Sequence, residues 1–507
     1  MLFNSPEFLL FFLPITVLFY YWLNKHLSPL AAKIWLVATS LFFYAYWNPI
    51  YLVILLTSIV FNYSIGFVLQ KRMSVEADGS NLFLNPKILL IIGIGLNISL
   101  LGYFKYADFF IANLNYLIDD DYSFLKLALP LAISFFTFQQ IAYLIDSYKL
   151  ETNEHSFLSY AQFVTFFPQL IAGPIVHHRE MMPQFSRNQN QHVQWENVYQ
   201  GLFIFSIGLF KKIVIADSFA GWANAGFNFE QSLGLLESWT TSLCYTMQLY
   251  YDFSGYSDMA IGAALFFNIK LPINFNSPYK ALSIQEFWKR WHITLSRWLK
   301  DYIYIPLGGN RVSSMLTYQN LMVTFLLGGL WHGAGWSFVI WGLLHGLALV
   351  IQRIWKGTGI AIPKLFCWFI TFMFVNVTWV FFRAETLSDA FRILMSMVGL
   401  NFDKLKWDNN SLESLFFAFG QVMKTGFQLG DRVLFSLLTY EYLVVFFLIA
   451  ILMPNSLQMA RFVKYEGMFQ MRAGRVTSTV IVLLLSISLY VLLNMSNRVS
   501  EFIYFNF

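Results

Sequence analysis

The sequence predicts an all-α protein that crosses a membrane many times, and three observations carry that prediction. Of the 507 residues, 57% are hydrophobic and only 12% are charged, with 55 Phe, 27 Tyr and 16 Trp. That is more apolar surface than an aqueous core can hide. The apolar stretches run for about 17–25 residues, the length of a helical span, rather than as the ten-residue alternation of a membrane β-barrel. Lipid offers the backbone no hydrogen-bond partner, so each span must satisfy its own N–H and C=O groups, which a helix does. About 11–13 membrane helices are expected, in one domain over 1–507. N-terminal helices occupy 1–150, a core 160–350 and C-terminal helices 360–507.

The opening "MLFNSPEFLLFFLPITVLFYYWL" has no basic n-region and no small-residue cleavage site, so it reads as a retained first helix. Further spans are expected near 32–47, 50–70, 87–104, 125–146, 197–216, 238–252, 255–269, 317–346, 366–382, 433–453 and 476–494. "FVTFFPQLIAGPI" (163–175) is apolar but broken by Pro168, Gly173 and Pro174, which suits a re-entrant segment buried in protein. Lys71, Arg72 and Lys87 flank one short loop, and Arg461, Lys464, Arg472 and Arg475 another; by the positive-inside rule both face the cytoplasm. "IDDDY" (118–122) and 401–431 then lie outside, as do both termini. The net charge of +5 calls for no nucleic-acid partner. Cys244 and Cys367 sit in apolar runs without CxxC or Cys/His spacing, which argues against a disulfide framework or a metal site.

"EFWKRWHITLSRWLKDY" (286–302) reads as one amphipathic helix. Stepped at about 100° per residue from Arg290, Phe287, Trp288, Trp291, Leu295, Trp298, Leu299 and Tyr302 share one face. Glu286, Lys289, Arg290, Arg297, Lys300 and Asp301 share the other, and only Ile293 is misplaced. Such a helix lies in the membrane interface, indoles toward the lipid and bases toward water. His292 falls on the seam, either as an ordinary interfacial histidine or as a residue at the mouth of a site. Lys289, Arg290, Arg297 and Lys300, with Arg311 beyond, suit a phosphate-bearing donor such as coenzyme A; anionic lipid is the alternative.

"LLGGLWHGAGWSFVIWGLLHG" (326–346) carries two histidines in a stretch without Lys, Arg or carboxylate. Gly329/Gly333 and Gly342/Gly346 have the spacing that allows close helix approach. His332, among them, is either a packed imidazole bonded to a neighbouring helix or a general base in a desolvated site. His345, 13 residues on and about 220° around a continuous helix, points elsewhere and reads as packing. "YYDFSGYSDMAIG" (250–262) puts Asp252 and Asp258 at membrane depth, which suits a helix break holding a polar network better than a proton relay. His177, His178 and Arg179 read as a loop cap rather than a metal site. No GxSxG, P-loop, HExxH or dinucleotide fingerprint is present.

"FFPQLIAGPIVHHREMMPQF", "YYDFSGYSDMAIGAALFF", "NFNSPYKALSIQEFWKRWHITLSRWLKDYIYIPLGGNR", "LLGGLWHGAGWSFVIWGLLHG" and "FIYFNF" occur in order along nearly the whole chain. Together they resemble the membrane-bound O-acyltransferase (MBOAT) family, above all its bacterial alginate O-acetyltransferase (AlgI-like) branch. The resemblance implies a ring-like helical bundle around a central tunnel. It implies transfer of an acetyl group from a cytoplasmic donor, acetyl-CoA, across the bacterial inner membrane. The acetyl would reach an exported polysaccharide of alginate, cellulose or peptidoglycan type through a periplasmic partner protein, with no permanently bound cofactor. The family's histidine falls on His332 and its second motif histidine on His292. Asn274, Asn276, Asp252, Asp258, Trp331 and Trp336 are expected to line the tunnel or its polar network. The competing readings are D-alanyl transfer to a cell-wall polymer and a non-enzymatic transporter or scaffold; the 401–494 extension favours the acetyltransferase branch.

Overall fold

The computed structural model describes residues 1–77, 85–152, 156–400, 435–462, 474–494 and 502–503. Helices are the regular structure of the described residues, which contain no strand. The order is α1 (Leu13–His26), α2 (Pro29–Ala45), α3 (Pro49–Ala77), α4 (Pro86–Leu101), α5 (Ala107–Ile118), α6 (Ile133–Tyr148) and α7 (Phe157–Thr165). Then come α8 (Phe167–Leu170), α9 (His178–Phe185), α10 (Trp195–Phe210), α11 (Asp217–Phe227), α12 (Leu235–Leu265), α13 (Ile284–Trp288) and α14 (Ile293–Leu299). The series closes with α15 (Ser314–His332), α16 (Trp336–Thr358), α17 (Lys364–Arg383), α18 (Leu387–Met397), α19 (Leu437–Leu452), α20 (Ser456–Met459) and α21 (Arg475–Asn494). The basic loop residues Lys464 and Arg472, and 401–431, lie outside the described residues.

The helices sort by chemistry. Among the described residues, six helical stretches are long and apolar enough to cross a membrane: Phe8–His26, Pro49–Met73, Pro86–Ile118, Trp336–Thr358, Lys364–Arg383 and Arg475–Asn494. Pro29–Ala45 and Leu437–Leu452 are shorter apolar helices. These elements present Leu10, Ile50, Ile91, Leu365 and Leu493 outward, the surface that lipid covers. Inside them stand α6, α10 and α12. Between them they carry Ser, Thr, Asn, Gln, Glu and Asp side chains, and they pack among other helices. The chain is thus an all-α polytopic membrane protein.

Four expectations change. The two spans at 238–252 and 255–269 are one 31-residue helix, α12. Gly255 does not break it; a Cβ there would stand 2.8 Å from Gly208 O, and one on Gly208 2.7 Å from Gly255 O. The small residues mark where α10 and α12 touch backbone to backbone. Conversely, 317–346 is a hairpin of α15 and α16 that turns at Gly333–Gly335. A Cβ on Gly329 would lie 2.3 Å from Phe338 O, and one on Gly342 2.4 Å from Phe325 O. The span near 125–146 begins only at Ile133, after a non-helical segment. The re-entrant segment 163–175 does lie buried in protein, as α7, α8 and a turn.

The fourth change is the amphipathic helix 286–302. It is two short helices, α13 and α14, separated at Lys289–His292 and followed by a π-helical turn at Lys300–Tyr304. Its aromatic face meets protein rather than headgroups. Trp298 stacks on Phe138 at 3.7 Å, Trp291 packs on Phe275 and Trp379, and Phe287, Trp288, Trp291 and Trp298 are all buried. A repeating apolar stripe reports burial, not what does the burying.

Candidate functional site

The break between α13 and α14 places His292. Its backbone is left-handed, with φ 42° and ψ 53°, a conformation that costs a non-glycine residue energy and recurs at functional sites. The segment 274–276 holds the bend: Ile293 N donates to Asn274 O at 3.0 Å and Asn276 N to Arg290 O at 2.9 Å. The Asn274 side chain then addresses the ring. Its Oδ1 accepts from Thr294 N at 3.3 Å and Thr294 Oγ1 at 3.0 Å, and lies 3.2 Å from His292 Nδ1. A backbone N–H can only donate, so the accepting atom of Asn274 is oxygen. His292 Nδ1 therefore carries a proton, and in the neutral ring Nε2 is the basic nitrogen.

His332 is the last residue of α15 and lies 2% exposed. Its ring sits 4.9 Å from Trp331, 5.0 Å from Trp341, 5.0 Å from Phe382 and 6.4 Å from His292, centroid to centroid. Phe253 closes on His292 from the far side at 4.8 Å. The two motif histidines, 40 residues apart in sequence, thus meet inside one aromatic cage. His292 is fully buried and does not stand at an interfacial mouth. His345 also touches Trp341, at 4.7 Å, because the hairpin, unlike the continuous helix assumed for the 220° separation, folds it back toward His332. Its ring is nevertheless occupied: Nδ1 accepts from Trp288 Nε1 at 3.2 Å and Nε2 is 3.1 Å from Thr378 Oγ1. An indole nitrogen only donates, so His345 is a bonded cross-link between α13, α16 and α17.

Two cavities flank the cage. One, of about 750 Å³, is lined by Lys105, Asp108, Gly333, Ser337, Phe382 and Arg383 among others. The second, of about 630 Å³, is lined by Trp288, Lys289, Ile293, Arg297, Lys300, Arg353 and Lys356 among others. Ser337 and Arg353 stand near opposite ends of α16, about 24 Å apart along its axis. Neither histidine lines either cavity, but neighbours of both do. The second cavity is ringed by bases and lies toward the end of α6 where Asp146 accepts from Tyr302 and Ser147 from Gln70, the Lys71/Arg72 end of α3.

The bases divide. Lys289, Arg297 and Lys300 line this second cavity, although Arg297 is already paired with Glu180 at 2.6 Å. Arg290 is turned away, bonded to Glu286 at 2.8 Å and to Asn276 O at 3.0 Å, and Arg311 is an exposed residue outside the lining. Arg353 and Lys356 join the set unpredicted. The signal for them was a basic pair three residues apart at the end of a span, "QRIWK". Asn276 fastens the segment to Asn455 Nδ2 at 3.1 Å instead of facing the histidines. Trp336 is 54% exposed and bonds Asn113, away from the histidine rings, whereas Trp331 is part of the cage.

Asp252 and Asp258 build the polar network without a helix break. Lys212 Nζ lies 2.8 Å from both Asp252 and Asp217, and Lys211 Nζ 2.7 Å from Asp258, which also accepts from Ser456 Oγ. Ile503 N donates to Asp252 at 2.9 Å. The buried charges are paired, as burial demands, and they rivet α12 to the π-helical turn Lys211–Ala216. His177 bonds Tyr302 at 3.0 Å. Among the described residues no three His, Cys, Asp or Glu side chains converge as a metal site would need.

The fold thus hides two histidine rings in a lipid-embedded bundle, between cavities at the two ends of α16. Similarity to known proteins gives the class. The model of the membrane-bound O-acyltransferase family matches residues 17–382, and the chain belongs to that family; it is a membrane O-acyltransferase. It is 53% identical to a peptidoglycan O-acetyltransferase of Helicobacter pylori over 431 residues, 79% of this chain and 80% of that one. It is 40% identical to the Pseudomonas aeruginosa protein named "Probable alginate O-acetylase AlgI" over 443 residues, 86% of this chain and 80% of that one. Similarity to a teichoic acid D-alanyltransferase of Streptococcus thermophilus is lower, 27% over 246 residues, 44% of this chain and 57% of that one.

Proposed function

We propose that the protein takes an acetyl group from acetyl-CoA on the cytoplasmic side of the bacterial inner membrane and delivers it outward for O-acetylation of an exported glycan, of peptidoglycan type. The observation that carries this reading is the meeting of His292 and His332 at 6.4 Å between two cavities at opposite ends of α16. Lys289, Lys300, Arg353 and Lys356 offer the donor's phosphates cations, and the pantetheine arm runs past Trp288 and Ile293 toward the cage. An imidazole nitrogen takes the proton of the attacking hydroxyl as its oxygen forms the new bond to the acetyl carbon. The C–S bond breaks, and the imidazolium returns that proton to the leaving thiolate, so the step balances without a metal or redox partner. His332 is the base, and His292, whose Nε2 is the accepting nitrogen of its neutral form, assists on the donor side. The acceptor hydroxyl is supplied by a periplasmic partner protein that passes the acetyl group to the glycan.

The 53% identity to a peptidoglycan O-acetyltransferase supports the glycan class and favours acetyl over D-alanyl. The test is mass analysis of cell-wall muropeptides with the gene deleted, restored, and restored as His332→Ala at matched membrane abundance. Acetyl esters are expected only with the wild-type copy. Their persistence in the His332→Ala strain refutes the proposed base.

A further inference from the structure

We infer that Lys105 and Tyr106 are positioning residues for the transfer step: together they hold the end of α15 on which His332 rides. This rests on the reading of His332 as the base. The last carbonyls of any helix lack partners within it. At the end of α15 three consecutive ones are taken by two consecutive side chains from another element. Tyr106 Oη donates to Leu330 O; Lys105 Nζ donates to Trp331 O and, at 3.3 Å, to His332 O. The same ammonium donates to Ser134 Oγ at 3.2 Å, and Ser134 O accepts from Trp331 Nε1 at 3.4 Å. One point thereby fixes the carbonyl of His332, the indole beside it and the start of α6.

The local sequence builds this point. On an α-helix neighbouring side chains diverge by about 100°. Between α4 and α5, Gly102–Tyr106 forms a π-helical turn instead, a distortion common at functional sites, and there Lys105 and Tyr106 converge on the same helix end. A cation suits the negative end of α15. Lys105 also lines the cavity beside Gly333 and Ser337, so in the proposed direction of transfer the clamp stands between His332 and the side from which an acceptor comes. The pair touches backbone, not the reacting ring, and so acts through His332.

The experiment uses the full chain in inverted membrane vesicles given labelled acetyl-CoA, reading acetyl incorporated into glycan. Lys105→Met lowers the maximal rate about 100-fold, the scale of a misplaced catalytic group, with KM for acetyl-CoA within about two-fold of wild type. Tyr106→Phe, which removes one hydrogen bond and keeps the ring, lowers it about three- to ten-fold at unchanged thermal midpoint. Lys105→Cys treated with 2-bromoethylamine, which rebuilds a lysine-length ammonium, regains rate. An unchanged maximal rate in Tyr106→Phe, or a Lys105→Met defect confined to KM for the glycan, overturns the clamp; the latter makes Lys105 an acceptor ligand. His332→Gln is run in parallel. If it stays active, the reading of the base fails and the clamp with it; if it is dead while both clamp variants are normal, the clamp alone fails.

Discussion

Replacing Asn274 by Ala isolates the contact that sets the tautomer of His292. Asn274 Oδ1 accepts from three donors: His292 Nδ1 at 3.2 Å, Thr294 Oγ1 at 3.0 Å and Thr294 N at 3.3 Å. The backbone bond from Ile293 N to Asn274 O at 3.0 Å survives the substitution, so the bend persists while the ring is released. Each lost hydrogen bond is worth about 1 kcal/mol. The His292 bond, together with part of the Thr294 hold on that ring's backbone, amounts to about 2–3 kcal/mol. If that energy orients the ring for catalysis, kcat falls about 30- to 150-fold at about 1.36 kcal/mol per decade. The assay is thiol release from acetyl-CoA by the purified full chain with its glycan acceptor and partner present. KM for the donor stays within about two-fold, because the phosphate-binding bases are untouched. Asn274→Asp keeps an accepting oxygen and recovers most of the rate. A wild-type kcat in folded Asn274→Ala refutes the reasoning.

Lys289→Glu with Lys300→Glu raises the KM for acetyl-CoA about ten-fold or more in initial-rate kinetics; Arg290→Glu instead lowers folded yield, since its guanidinium serves Glu286 and Asn276 O. His345→Leu leaves the buried Trp288 Nε1 without its acceptor and costs about 1–3 kcal/mol, seen as a lower thermal midpoint with specific activity of the folded fraction retained. Gly342→Val drives a Cβ to 2.4 Å from Phe325 O, a backbone atom that cannot step aside, so the α15–α16 hairpin loosens and the monodisperse fraction on size exclusion collapses.

Composition and run length made the fold class legible, because lipid leaves a chain so few backbone options. The burial of His332 against protein was legible for a related reason: an imidazole amid close-packing glycines in an apolar stretch has to be sheltered from lipid. What escaped were features that depend on partners. The stripe in 286–302 was correctly periodic, but nothing in it distinguishes a lipid headgroup from Phe138, Phe275 and Trp379. The glycines and carboxylates of 250–262 looked like a break because the lysines that neutralise them, Lys211 and Lys212, lie 40 residues upstream. Treating 317–346 as one helix separated His332 from His345, whereas the turn at Gly333–Gly335 folds them onto the same Trp341. Arg290 and Lys289 are neighbours with the same charge, and only the fold shows that one is bonded to its own segment while the other faces a cavity.

The two caged histidines are proposed to serve, as base and assisting residue, the transfer of an acetyl group from a donor on one face of the membrane to an acceptor on the other. The most direct measurement follows labelled acetyl from acetyl-CoA, supplied only to the cytoplasmic face of sealed inverted vesicles, into glycan enclosed on the other face. Wild-type protein is predicted to label the enclosed glycan, and His332→Gln at equal abundance to label none. Equal labelling by the two proteins would contradict the account.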